Sequence, residues 1–185
     1  MNSSVEQRSE VLQELSDAVD LLSVSMDPRL VPENGANIGF ALAGARDSGG
    51  VAAVRDGIGR EGNKVTAAGP CMFGADPAIA QIVLTAMKFN PAIRSAAVIR
   101  CFGPAVHILE EMLLECCSFD RAKESPGIST MDWGVASCCR DNVPDVIYDR
   151  GTKEKKPIIR FFGDHPADVV NNIIMLSNRV VHTEL

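Results

Sequence analysis

Apolar residues near the start of the chain recur at alternating steps of three and four, at Leu12, Leu15, Val19, Leu22 and Met26, which is the period of one helix face. The pattern predicts an amphipathic helix over residues 4–24, opened by Ser3 and Glu6 at capping-box spacing. Pro28, Pro32 and Gly35 then interrupt the chain, so residues 1–35 read as helix and linker and residues 36–185 as the domain proper. The apolar stripe has to be covered. Two heptads are too few to hold a coiled coil alone, which leaves docking on the domain or, as a homodimer, on a copy of itself.

Beyond the linker the pattern changes period. N-I-G-F-A-L-A-G from Asn37 and V-A-A-V from Val51 have the density of buried strands, and K-V-T-A-A-G from Lys64 follows a Gly62-Asn63 turn, so an antiparallel meander is expected. Asp76 and Pro77 open a helix to about Met87, with Ile79, Val83 and Met87 on one face. Ala96–Arg100 is a short strand, Pro104 starts a helix to about Glu115, and Cys117–Asp120 is extended. Two further strands, Asp145–Asp149 and Pro157–Phe162, flank a charged turn before a last helix from Pro166 to about Asn178. Alternating strands and helices predict a single α/β domain, a mixed sheet covered by helices and preceded by the amphipathic helix.

Composition narrows the chemistry. The 185 residues are 46% hydrophobic, enough for one substantial core, and the net charge of -6 opposes direct binding of nucleic acid. The amino terminus lacks a basic, apolar leader and no apolar run reaches membrane-span length, so a soluble, cytoplasmic protein is expected. The six cysteines are Cys71, Cys101 and the adjacent pairs Cys116-Cys117 and Cys138-Cys139. Without a C-x-x-C spacing they suit neither a zinc site nor a disulfide framework and are expected as reduced, mostly buried thiols. His107, His165 and His182 have no neighbours that would make them ligands or bases.

Chemistry concentrates in the stretch S-F-D-R-A-K-E-S-P-G-I-S-T-M-D-W-G, Ser118 to Gly134. A solvated connector has no need of Phe119, Met131 and Trp133. Set beside Asp120, Arg121, Thr130 and Asp132 they suit a pocket wall, although a turn whose Trp133 plugs the core fits the same letters. Several strands end in charge, at Arg100, at Asp120-Arg121 and at Asp149-Arg150-Gly151, where open α/β sheets bind ligands. Arg100, Arg121, Arg150 and Lys155 there suit phosphate oxygens. The glycine-rich segments 57–62 and 69–74 are candidate backbone cradles for the same anion. Neither G-x-G-x-x-G nor the P-loop pattern occurs.

From Asn37 onward, N-I-G-F-A-L-A-G-A, V-A-A-V, G-P-C-M-F-G-A, the strand ending at Arg100, S-F-D-R, S-T-M-D-W-G and P-D-V-I-Y-D-R-G occur in order, and the set resembles the ThiN domain family. The resemblance implies an α/β fold and an archaeal source. It implies a role either as thiamine-phosphate synthase, joining hydroxymethylpyrimidine diphosphate to thiazole phosphate, or as a sensor of thiamine phosphate. It marks Asn37, Arg100, Ser118, Asp120, Arg121, Thr130, Met131, Asp132, Trp133, Asp149, Gly151 and Lys155 as ligand-binding positions. Arg100, Arg121 and Lys155 would be cations, the three aspartates polar or metal contacts, and Met131 or Trp133 a ring wall. A synthase also needs cationic clamps on the leaving diphosphate, with Mg2+; binding alone requires no cofactor and no resident metal.

The chain departs from the synthase pattern at two positions. Where the family carries a catalytic Arg and a catalytic His, this sequence has Gly57 and Ala78, with Arg55 and Arg60 close by. Val98 stands where Asn is common. Losing groups that act on the transition state while keeping ligand motifs describes a binding-only descendant, so a non-catalytic sensor is expected, with the synthase as the alternative. A repressor would need a DNA-binding domain on another segment or chain, since residues 1–36 offer one acidic helix.

Overall fold

The computed structural model describes residues 3–124 and 131–182. The capping box forms at Ser3, whose Oγ accepts from Glu6 N at 3.2 Å while its own N–H donates to the Glu6 carboxylate at 2.7 Å. It starts α1 (Ser4–Ser25). Val11, Leu15, Ala18, Val19 and Leu22 line its buried face, with Met26 just beyond it, while Leu12 is only partly covered. The face docks on the chain's own core, against α5 (Pro166–Val181) and the sheet. His165 Nδ1, at the start of α5, lies 2.9 Å from Glu14 Oε2. Asp27 N donates to Ser177 Oγ at 2.6 Å.

Seven strands form the main sheet. They are β1 (Asn37–Ala41), β2 (Val51–Val54), β5 (Cys71–Phe73), β6 (Ser95–Arg100), β7 (Cys116–Ser118), β8 (Val146–Tyr148) and β9 (Ile158–Gly163). Their order is β5-β2-β1-β6-β9-β8-β7, antiparallel throughout except for the parallel β7–β8 pair. The mixed α/β architecture read from the sequence is thus the observed one. Side chains alternate between faces. Ile38, Phe40, Val54, Ile99, Ile159 and Phe161 join α1, α3 (Gly103–Glu111) and α5 in one core. Ala41, Ala53, Ala96, Ile147 and Phe162 meet α2 (Pro77–Phe89) and α4 (Trp133–Cys138) in the other. Asp76 Oδ1 caps α2 by accepting from Ala78 N and Ile79 N.

Four expectations are corrected. Lys64–Ala67 (β4) does not extend the meander; it pairs with β3 (Ile58–Glu61) in a separate hairpin, because Ile58-Gly59-Arg60-Glu61 buries only Ile58 and shows no apolar alternation. The segment 69–74 contains edge strand β5, and its Gly74 N donates to Val51 O at 3.0 Å. Helix α3 ends at Glu111 because the chain then turns through Leu113 at φ 60°. Cys117 and Cys138 are joined by a disulfide with Cα atoms 5.9 Å apart, which neither adjacent pair announced, since each contributes one member and the fold brings β7 to α4. Cys71, Cys101, Cys116 and Cys139 are free. Burial pushes the Cys139 thiol up to about 11. No helix among the described residues is long and apolar enough to cross a membrane.

Leu22 is 1% exposed in the α1 interface, so Leu22→Ala is expected to cost ~2–5 kcal/mol in urea unfolding without changing molecular mass in solution; a stripe used for self-association would change the mass instead. Thiol titration in denaturant is expected to find four reactive cysteines before reduction and six after it, and six beforehand would contradict the pairing.

Candidate functional site

The register places Asn37, Val98, Arg160 and Ile147 side by side across β1, β6, β9 and β8. On the helix-α2 side of the sheet, the first three of these floor a cavity of about 460 Å³. Its walls are the segment 34–36, the turn at Asp56-Gly57 after β2, the first turns of α2, and Arg121 and Asp132 from the ends of the loop before α4. The carboxyl ends of β2, β6, β7 and β8 all reach this end of the sheet, while β1 and β9 start there. Volume and shape suit a small molecule.

Asn37 is nearly buried and its amide is fully used. Its Nδ2 donates to Val54 O at 2.9 Å and Asp76 Oδ2 at 2.8 Å, and its Oδ1 accepts from Ile38 N and Val54 N. It therefore holds the wall rather than offering free valences. The same bonds engage Asp76, whose other oxygen caps α2. Asp132 caps α4 through Val135 N at 2.9 Å, and its own N–H donates to Thr85 Oγ1.

Beneath these lies a buried charge system. Asp149 is fully buried; its Oδ2 accepts from Arg160 at 3.0 Å and its Oδ1 accepts from Gly151 N at 2.8 Å, with Arg121 3.8 Å away. The Arg160 guanidinium lies over the Phe119 ring, 4.9 Å from its centroid. Arg160 is 3% exposed, yet its buried Nε has no hydrogen-bond partner among the described residues. A charged donor so placed in a cavity wall is costly unless an acceptor reaches it. A cation in the middle of P-I-I-R-F-F was the signal for this residue, because a buried strand carries a charge only when it is paired. Arg160 is not among the positions expected from the sequence.

The other expected positions disperse. Ser118, Asp120, Arg121 and Gly151 line a neighbouring cleft of about 340 Å³ with Arg150 and Phe119, so Arg121 is shared by both spaces. Asp120 Oδ1 accepts from Ala122 N. Arg100 faces a different cavity, and Lys155 sits in the turn closed by Thr152 N donating to Lys155 O at 2.8 Å. Met131 and Trp133 lie outside the lining of the first cavity; Trp133 stands edge-on to Phe119 with centroids 5.9 Å apart. A Cβ on Gly134 would run into that Phe119 ring, which explains the glycine after Trp133. Thr130 lies outside the described residues.

In the glycine-rich segments several backbone N–H groups are already engaged within the protein. Gly57 N donates to Val54 O and Ile58 N to Ala36 O. Asp56 and Gly57 both have positive φ, 63° and 77°, and a Cβ on Gly57 would sit 3.0 Å from Ala36 O. The turn is built around glycine. Both departure positions, Gly57 and Ala78, line the same cavity. Burial, with the nearby Asp149 charge adding, pushes the Cys101 thiol up to about 11, which disfavours its thiolate.

The family described as "Thiamine-phosphate synthase ThiN" matches residues 14–175. The chain is 39% identical over 171 residues to the bifunctional thiamine biosynthesis protein ThiDN of Methanocaldococcus jannaschii, covering 90% of this chain and 40% of that protein. It is 27% identical to the thiamine-phosphate synthase ThiN of Methanothermobacter thermautotrophicus, covering 89% of this chain and 91% of that one. Two crystal structures share the fold: the C-terminal domain of protein MJ0236 (TM-score 0.88, 36% identity, 95% and 98% of the two chains) and the C-terminal domain of a phosphomethylpyrimidine kinase (TM-score 0.81, 32% identity, 91% and 99%). With its matched span running from within α1 into α5 and its sheet and helices shared with these structures, the chain belongs to the ThiN family of thiamine biosynthesis domains.

Proposed function

We propose that this chain binds thiamine phosphate as a sensing or regulatory module and does not make it. The observation that carries this reading is that Gly57 and Ala78, at the two expected catalytic positions, both face the 460 Å³ cavity. Catalysis requires groups that stabilise charge developing in the transition state, whereas product affinity does not. Departing diphosphate would need cations. The lining instead carries Asp56, Asp76 and Asp132 against Arg121 and Arg160, and both guanidiniums already face Asp149.

That charge distribution suits a ligand with one phosphate and one permanent cation better than two phosphorylated precursors. The phosphate would take Arg121 and the unpartnered Nε of Arg160, and the cationic ring would lie toward the aspartates. The aspartates do not fit a protein-held magnesium ion: Asp76 and Asp132 are spent as helix caps, and among the described residues no three His, Cys, Asp or Glu side chains gather at one point. The competing reading is a working synthase, since this chain spans 91% of the thiamine-phosphate synthase ThiN of Methanothermobacter thermautotrophicus.

Calorimetric titration with thiamine phosphate is expected to give saturable binding. The same sample is expected to form none from hydroxymethylpyrimidine diphosphate and thiazole phosphate with magnesium; turnover would overturn the sensor reading. Arg160→Lys keeps a charge for Asp149 but removes the planar fork, and is expected to weaken binding about tenfold, near the value of one charge-assisted hydrogen bond. Arg121→Ala is expected to lose binding and, because Arg121 also stands 3.8 Å from the buried Asp149 carboxylate, to lower the ligand-free melting temperature modestly; full binding by the folded variant in calorimetry would remove Arg121 from the site. Gly57→Arg is expected to cost ~1–2 kcal/mol of stability because the left-handed backbone excludes a Cβ, measured by denaturant unfolding; an unchanged midpoint would show that the turn refits.

A further inference from the structure

Cys117 and Cys138, 21 residues apart in sequence, join edge strand β7 to the short helix α4. Stability of the rest of the fold does not call for this bond. Two apolar cores and a seven-stranded sheet already hold a chain of 185 residues, and disulfides serve stability chiefly in domains too small for such a core. The two elements that it joins are short. Strand β7 has three residues and pairs on one side, with β8. Helix α4 has six, of which Gly134 and Val135 are buried.

The bond sits beside the first cavity. Arg121 and Asp132, both in its wall, stand four residues after Cys117 and six before Cys138. Between them, the Phe119 ring touches both halves of the structure: it packs on Gly134 and edge-on to Trp133 in the first turn of α4, and it meets the Arg160 guanidinium at 4.9 Å. Both bonded cysteines are half-buried, so a reductant can reach them. The thiols next to them are poor rivals. Burial pushes Cys139 up to about 11 and raises Cys116 as well, with the charges of Glu110 and Asp145 adding there, and it is the thiolate that attacks a disulfide. Exchange with a partner outside the chain is therefore favoured over internal reshuffling.

We propose that Cys117 and Cys138 form a thiol–disulfide switch on the first cavity: the bond holds Phe119, Arg121 and Asp132 in place, and its reduction by a dithiol frees β7 from α4 and weakens ligand binding. One thiolate of the reductant attacks one sulfur, forming a mixed disulfide and releasing the other cysteine; the second reductant thiol then displaces the first cysteine. Two electrons and two protons pass from the dithiol, which becomes a disulfide, to two cysteine thiols. Phe119 is the coupling element. When α4 parts from β7, Gly134 and Trp133 leave its ring, and the ring no longer has a fixed place against Arg160. The effect on affinity rests on the proposed binding of thiamine phosphate, whereas the change in the wall does not. By linkage, ligand and oxidation favour each other.

The test equilibrates the full chain in mixtures of reduced and oxidised dithiothreitol. Free thiols are counted, the emission of Trp133, the chain's one tryptophan, is recorded, and thiamine phosphate is titrated by calorimetry. On reduction the thiol count is expected to rise from four to six, and Trp133 emission to move to longer wavelength with the same midpoint. Affinity is expected to fall about tenfold, near the value of one charge-assisted hydrogen bond, and saturating ligand to make the bond about tenfold harder to reduce. The double variant Cys117→Ser with Cys138→Ser is expected to match the reduced protein in emission and affinity whatever the buffer. Unchanged emission, equal affinity of the two forms, or a double variant that still responds to dithiothreitol would overturn the switch. Loss of the cooperative melt on reduction would make the bond a staple of the whole fold and overturn it too. If neither form binds thiamine phosphate while Trp133 still follows the thiol count, the switch stands and the sensor reading falls.

Discussion

Asp149 has no contact with solvent, and the end of the sheet that floors the first cavity is arranged around it. Isolated, a carboxylate in that position would be neutralised or would unfold its surroundings. Arg160 from the next strand, the Gly151 N–H and, more distantly, Arg121 compensate it. Each partner thereby becomes fixed. Arg160 is held on the sheet floor under Phe119, and Arg121 is held between two clefts. Replacing such a pair by apolar residues is often harmless to stability, while breaking it is costly. What it contributes here is position: two guanidiniums set at the cavity's base by a charge that no ligand can reach.

A second fixed system faces the first. Asn37 and Asp76 bind each other, tie the start of β1 to the end of β2, and cap α2. The cavity is therefore rigid on both sides before any ligand arrives, with its positive groups toward β9 and its negative ones toward α2. Gly57 and Ala78 sit on the negative side. That side is made of backbone, small side chains and the hydrogen-bonded carboxylates of Asp76 and Asp132. The disulfide between Cys117 and Cys138 closes the loop that carries Arg121 and Asp132, which limits how far those two can drift.

Much of the fold was legible because burial repeats with the backbone. The stripe from Leu15 to Met26, the Ser3 and Glu6 cap and the Asp76-Pro77 helix start are local patterns with local causes, and the structure reproduces them. Ile58–Glu61 was not legible, since a strand exposed on most of its length leaves no alternation to read. The α3 end depended on a non-glycine residue in a left-handed conformation, which propensity does not forecast. At the site, Arg121 and Asp132 announced themselves by standing in a loop, whereas Arg160 was hidden inside an apolar run.

The sequence by itself determined the helices and most strands, the α/β class and the family through ordered motifs. All of these depend on residue type and on spacing along the chain. Only the tertiary structure decided that α1 covers its own core, that Cys117 meets Cys138, that Asn37 and Asp76 are spent on each other, and that Arg100 faces a different cavity from Arg121. These depend on strand order and register, which bring together residues far apart in sequence, and no local period encodes which strand lies beside which.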